Sequence, residues 1–150
     1  MLTEATRRRL AEFEGKCWHE DMSEYGKPSG AQLCRWCGAM FTGDHVRNPT
    51  YTTWNEACPL LAKIVERGDL SEFLSYTWNV FLKSDECKKY EQLEGYIPDN
   101  DEWIQWTHGN YTDPSHTAGL VDQAIVAQVL YIVRDGKKLY WFEDGWRERA

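Results

Sequence analysis

Cys17-Trp18-His19 and, after a fourteen-residue spacer, Cys34-Arg35-Trp36-Cys37-Gly38 decide how the N-terminal third of this chain folds. A C-x-H pair followed by C-x2-C-G supplies four borderline-soft ligands in two tight groups, the layout of a tetrahedral metal site. The donor set suits one Zn2+, held by Cys17, His19, Cys34 and Cys37. His45 is also within loop reach and stands as an alternative to His19 as the fourth ligand. Four protein ligands leave no open coordination position, so the expected role is structural: ligation folds a segment too poor in apolar residues to fold alone. Trp18 and Trp36 flank the ligands and are expected to cover the site as an apolar lid, with a stacking surface for a base as the competing use.

Outward from this constellation, Thr3 N-caps a helix running to about Glu14, and Gly15 sits where a left-handed stop belongs. Lys16 to Glu20 reads as a short strand carrying the first ligand pair, and Asp21 to Gly30 as a loop. Gln32 to Cys34 and Ala39 to Thr42 read as the arms of a β-hairpin, the local shape of a zinc ribbon. Pro59 is expected at the first position of a helix that ends at Arg67, with Leu60, Leu61, Ile64 and Val65 on its core face. Asp69 with Glu72 opens a helix through Leu82, and Asp85 to Leu93 forms another. Glu94 to Asn110 reads as an acidic, aromatic loop. Asp113-Pro114 starts a helix whose spacing, Val121, Ile125, Val129 and Ile132, runs to about Val133, followed by a strand. Asp135-Gly136 between two apolar runs is also a type I′ hairpin signal, so residues 129–142 admit two readings. The fold class is α+β. Residues 1–47 form a helix plus zinc-ribbon-like module, and residues 48–150 a helix-rich domain with a small sheet packed on it, the two forming either separate units or one compact body.

The net charge of -7 is unevenly distributed. Residues 1–50 hold seven Lys/Arg and seven Asp/Glu, whereas residues 51–150 hold ten against seventeen. With only short basic patches at Arg7-Arg8-Arg9 and Lys137-Lys138, a nucleic-acid partner is disfavoured and a basic protein surface is the better match. No apolar run approaches the roughly 20 residues that span a bilayer. Five cysteines, an odd number, with no apolar leader at the N-terminus favour thiols in a reducing compartment, hence the cytoplasm. Cys58 and Cys87 are expected as small buried hydrophobes.

The order Cys17-Trp18-His19-Glu20, Cys34-x2-Cys37-Gly38, Asn48-Pro49 and Tyr51-Thr52-Thr53-Trp54 before an apolar helix resembles small tailed-phage accessory proteins. These carry a phage ABA sandwich domain, often with a zinc-binding front end. The likeness covers roughly residues 16–82 and implies an α+β fold and a viral or prophage origin, hence the cytoplasm of a host cell; it implies no activity. A second resemblance, to HNH endonucleases, rests on the C-x2-C-G pair followed by Asp44-His45, Asn48-Pro49, Asn55 and Cys58. It implies His45 as general base and Asn55 as the residue holding the active loop. Lys63 and Ile64 stand where that family has its further His, and Cys58 is followed by Pro59-Leu60-Leu61 in place of a second C-x2-C.

Asp99, Asp101 and Glu102 crowd carboxylates without the Gly and closing Glu of an EF-hand loop, which suits an acidic docking loop. Trp103 and Trp106 among them have the pattern of aromatic anchors in a charged rim, and His108 belongs to the same stretch. His108 and His116 are expected to be solvated. The expected function is a phage or prophage accessory protein that binds a host component, one of its defences, through this surface; capture of a small nucleotide, an HNH-like nuclease and a zinc-ribbon nucleic-acid-binding regulator are the alternatives. The oligomeric state is left open.

Overall fold

Thr3 opens the first helix and Gly15 closes it. In the computed structural model, which describes residues 2–19, 22–25, 31–34, 36–41, 48–94 and 100–149, α1 spans Glu4–Glu14. The Thr3 hydroxyl accepts from the Thr6 amide, and Gly15 adopts φ 79°, so that the amides of Gly15 and Lys16 reach the carbonyls of Glu12 and Ala11. Leu10, Ala11 and Phe13 form the buried stripe.

A three-stranded antiparallel sheet follows, β1 Met22–Tyr25, β2 Ala31–Cys34 and β3 Met40–Phe41, in the order β1-β2-β3. β2 and β3 pair with Gln32 opposite Phe41 and Leu33 opposite Met40, as the hairpin reading expected. The first ligand pair is not on a strand, however. Residues 16–19 are irregular, and the strand lies at Met22–Tyr25, where the sequence suggested a loop. Without apolar alternation in Met22–Tyr25 there was no periodic signal to mark it; pairing with β2 supplies the order.

Five helices come next: α2 Trp54–Glu66, α3 Leu70–Leu82, α4 Asp85–Glu94, α5 Asn100–Thr107 and α6 Pro114–Val126. α2 begins at Trp54, not at Pro59, which lies inside it. Pro59 removes the donor for the Asn55 carbonyl, but both residues are exposed, so solvent can serve that carbonyl. α5 occupies part of the stretch read as a loop; residues 95–99 lie outside the described residues.

α6 is the centre of the molecule. It packs against α1, α2, α3, α5 and β5, and eight of its residues, from Pro114 to Ile125, are buried. A helix buried on most sides has no room for a wide polar face, and its small residues Ala118 and Ala124 let neighbours approach. Helix α6 ends at Val126, short of the expected Val133, because Gln128 turns into the left-handed region at φ 62°.

The chain then forms β4 Ile132–Arg134, β5 Lys137–Phe142 and β6 Gly145–Arg147, a second antiparallel three-stranded sheet. Here the hairpin reading prevails over helix-then-strand. Asp135 and Gly136 both take positive φ, 54° and 75°, which a type I′ turn requires and which matches the strands' twist. Leu139, Trp141 and Trp146 pack onto the core, and the Trp146 indole N–H donates to Glu12 at 2.6 Å. The fold is thus mixed, a helical body with two small sheets. Among the described residues no helix is long and apolar enough to cross a membrane.

Candidate functional site

Two residues beyond the Gly15 cap, the chain leaves α1 as an irregular segment that carries Cys17 and His19. The knuckle after β2 brings Cys34 and Cys37 to meet it. Gly38 makes that possible: at φ 76° its amide donates to the Cys34 carbonyl at 2.9 Å, while the Cys34 amide donates to the Ala39 carbonyl. The ligand atoms of Cys17, His19, Cys34 and Cys37 all lie within 4.8 Å of one another. The Cys17 and Cys34 sulfurs are 3.6 Å apart, and Cys37 Sγ lies 3.6 Å from His19 Nδ1. Metal–sulfur bonds of about 2.3 Å and metal–nitrogen bonds of about 2.0 Å, set at a tetrahedral angle, require S···S and S···N edges of about 3.8 and 3.5 Å. The four residues can therefore hold one metal ion. Among the described residues this is the one cluster of three or more Cys, His, Asp or Glu side chains with such proximity.

The Cys17 and Cys34 thiols ionise unequally. Burial, then the neighbouring Cys34 and Cys37 sulfurs, push the Cys17 thiol up to about 12. The Cys34 thiol is brought down to about 6, chiefly by His19 and then by the backbone N–H of Cys37. A thiolate at Cys34 makes a second at Cys17 harder to form, and a bound divalent cation would relieve that repulsion.

His19 is held from behind by Asn48. The His19 amide donates to Asn48 Oδ1 at 2.8 Å, and Asn48 Nδ2 donates to the His19 carbonyl at 3.0 Å. This two-point clamp reproduces a strand pair and fixes where the imidazole starts. In the sequence, Asn48 stands out only as part of the Asn48-Pro49 pair in the two family resemblances. Beside the clamp, Lys16, Pro49 and Glu56 join Cys17, His19 and Cys37 around an open cleft of about 450 Å3. Burial alone would raise the Glu56 carboxyl, but the Thr50 amide and the hydroxyls of Thr50 and Thr53 outweigh it and set its pKa below the ordinary value.

Of the two tryptophans flanking the ligands, Trp18 is buried, with the Arg7 guanidinium 5.6 Å from its ring, whereas Trp36 is 72% exposed. Cys87 is buried as expected but Cys58 is exposed on α2, because Leu60 and Ile64 take that helix's inward face. Asn55 is exposed on the first turn of α2, and His45 lies outside the described residues.

No protein-family model matches the chain, and no curated protein or solved structure is significantly similar to it. Function has to be argued from the geometry.

The proposed acidic contact is rearranged by α5. Asp101 and Glu102 sit in its first turn, where the helix dipole suits carboxylates, and Asp99 lies outside the described residues. Both tryptophans are half-buried and packed on neighbouring rings, and Trp103 also lines an open groove. Trp103 donates its indole N–H to Thr77 Oγ1 at 3.3 Å and meets Trp78 edge-on, and Trp106 packs on Phe81 and on the edge of His116. His108 and His116 are half-buried, not solvated. His108 stacks on Tyr111 and approaches Thr117 Oγ1, while His116 Nε2 is buried without a hydrogen-bond partner.

Burial lowers the pKa of both histidines below the ordinary 6.5. A depressed folded value means the unfolded chain binds these protons first, so their contribution to stability is complete above about 6.5 and is lost as pH falls through the lowered folded values. The urea midpoint should therefore drop between pH 7.5 and 5.5, and His116→Phe should flatten that slope. Equal slopes in the two proteins would remove His116 from the account.

Sequence reading also missed an apolar groove. α2, α3 and α5 line it with Leu61, Val65, Leu70, Leu74, Trp103 and Ile104, and its volume is about 370 Å3. Leu70 and Leu74 repeat at core spacing, so nothing local distinguishes them from buried residues.

Proposed function

We propose that this chain is a binding protein, not an enzyme, whose N-terminal third is held by one structural Zn2+ in a zinc-ribbon-like arrangement. Closure of the ligand set carries this reading. Cys17, His19, Cys34 and Cys37 offer four donors within 4.8 Å of one another. A Cys3His set selects Zn2+ over harder ions, and four protein ligands fill a tetrahedral sphere, leaving no place for a reacting water. The net charge of -7 supports a partner with a basic protein surface. The more specific identity, a phage accessory protein acting on a host defence in the host cytoplasm, has the resemblance of residues 16–82 as its support.

Native mass spectrometry of protein purified without chelator tests the metal. One zinc per chain is the expected result; a metal-free chain, or iron in its place, would overturn the reading. Asn48→Ala should lower zinc affinity about tenfold in competition with a chromophoric chelator, because the His19 backbone loses its clamp. Unchanged affinity would mean that the β2–β3 knuckle alone positions the ligands.

A further inference from the structure

We propose that the groove between α2, α3 and α5 receives an amphipathic, basic α-helix of a partner protein. The inference rests on the binding-protein reading and names the surface that does the binding. Val65, Leu70, Leu74 and Ile104, all large and apolar, are 57%, 39%, 36% and 43% exposed, and all four line this groove. Scattered apolar residues need no explanation, but a contiguous apolar trough on three helices marks a contact site.

Its shape decides between occupants. α3 carries two apolar stripes. Phe73, Thr77 and Phe81 are buried, while Leu70, Leu74 and Trp78, spaced four apart, run along the flank of that buried row and line open clefts. A second cleft, lined by Leu70, Ser71, Leu74, Ser75, Trp78, Asn100 and Trp103, continues the first and shares Leu70, Leu74 and Trp103 with it. From Leu70 to Trp78 the trough extends about 12 Å along α3, the length of two turns of helix. An elongated apolar channel between helices takes the i, i+3, i+4, i+7 face of a helix better than a compact small molecule.

Charge decides the rest. Apart from Glu56, which lies in the cleft beside the metal cluster, α2, α3 and α5 carry the carboxylates Glu66, Glu72, Asp101 and Glu102 against one cation, Lys63, which is paired with Glu66 at 3.6 Å. Residues 54–83 and 100–107, which contain the three helices, hold six Asp/Glu and three Lys/Arg, an acidic excess on the elements that build the groove. Two copies meeting here about a two-fold axis would place these acids against their own images, which opposes self-association. A helix with Leu on one face and Lys or Arg on its flanks matches both features.

The test titrates the wild-type chain with a synthetic peptide of about four turns, Leu at i, i+3, i+4 and i+7 and Lys/Arg on the flanks, monitored by amide chemical shifts and calorimetry. Supporting results are shifts confined to α2, α3 and α5, binding weakened by salt, and affinity about tenfold lower for Ile104→Lys and for Val65→Ser. Equal binding of a scrambled peptide or of one with Glu on its flanks would overturn the proposal, as would shifts elsewhere. Dimerisation that Ile104→Lys relieves would assign the groove to a second copy instead. A physiological partner held equally by wild type and Ile104→Lys would overturn the groove and leave the binding-protein reading standing. Zinc stoichiometry and thermal midpoint, measured on each variant, separate loss of the groove from loss of the metal or the fold.

Discussion

Replacing Cys34 by Ser should reduce bound zinc from one per chain to none while the helical body stays folded. Of the four candidate ligands, Cys34 is the one whose loss should cost most. It is buried, it ends β2, its amide and carbonyl close the knuckle, and its sulfur lies 3.6 Å from that of Cys17. A serine hydroxyl is a poor zinc ligand, and three remaining donors cannot close the sphere. The apparent binding energy of structural zinc, about 10–16 kcal/mol in small modules, is energy of folding for the segment that contributes the ligands. Residues 17–19, 22–25, 31–34 and 36–41 should therefore lose amide-exchange protection. α1 and the helices after Thr53 draw their stability from the core around Leu10, Phe13, Leu60, Ile64 and Val121, and should keep their far-UV signal. Chelator treatment of the wild type should reproduce this pattern and zinc should reverse it. Cys58→Ser, at an exposed position outside the cluster, should change neither zinc content nor protection. A Cys34→Ser protein that retained a full zinc equivalent would break the proposal.

What could be read from the sequence follows the range of the interactions concerned. The metal cluster is built from two close pairs, and close pairs are visible as spacing. α1 is visible because Thr3 and Gly15 act within their own turns. The Asp135-Gly136 hairpin is local too, yet Val129 and Ile132 continue the helical spacing of α6, and the residue that stops the helix is Gln128. A left-handed Gln carries no sequence signature, unlike Gly or Asn. α5 escaped notice because its inward side is Trp103, Trp106 and Thr107, which carry polar groups and do not read as an apolar stripe. The Asn48 clamp on His19 joins residues 29 apart, and the Arg9–Asp122 pair joins residues 113 apart. No local pattern encodes either. The groove is a further case: Leu70 and Leu74 have core spacing, and only the assembly of α2, α3 and α5 leaves them uncovered.

Asp122→Ala should destabilise the protein by about 3 kcal/mol, which for a chain of this size lowers the thermal midpoint by roughly 10 °C. Asp122 lies on α6, the helix against which α1, α2, α3, α5 and β5 pack, and Arg9 reaches it from α1 with a two-pronged contact, 2.8 Å to Oδ1 and 3.0 Å to Oδ2. Their side chains are 18% and 9% exposed, so both charges have given up most of their water. Hydrogen bonding to Asp122 raises the Arg9 pKa despite burial, and guanidinium does not escape by losing its proton. Without Asp122, Arg9 keeps its charge, with Thr6 Oγ1 at 3.4 Å and the Trp141 ring 5.2 Å away. The cost of truncation is mostly that stranded cation and not the worth of the pair. Removing one member of a buried pair costs about 3–5 kcal/mol, and the residual exposure of Arg9 places this case at the lower end. Arg9→Met together with Asp122→Leu should then recover most of the loss, since an apolar pair of similar size carries no desolvation penalty. A double-mutant cycle by urea denaturation measures this directly. If Asp122→Ala costs less than about 1 kcal/mol, the pair behaves as a solvated surface bridge, and α1 is held to α6 by Leu10 and Phe13 alone. The same variant reports on the metal, because Cys17 follows α1 by two residues past its cap: a loosened α1 should weaken zinc binding, whereas Cys34→Ser should leave the Arg9–Asp122 coupling intact.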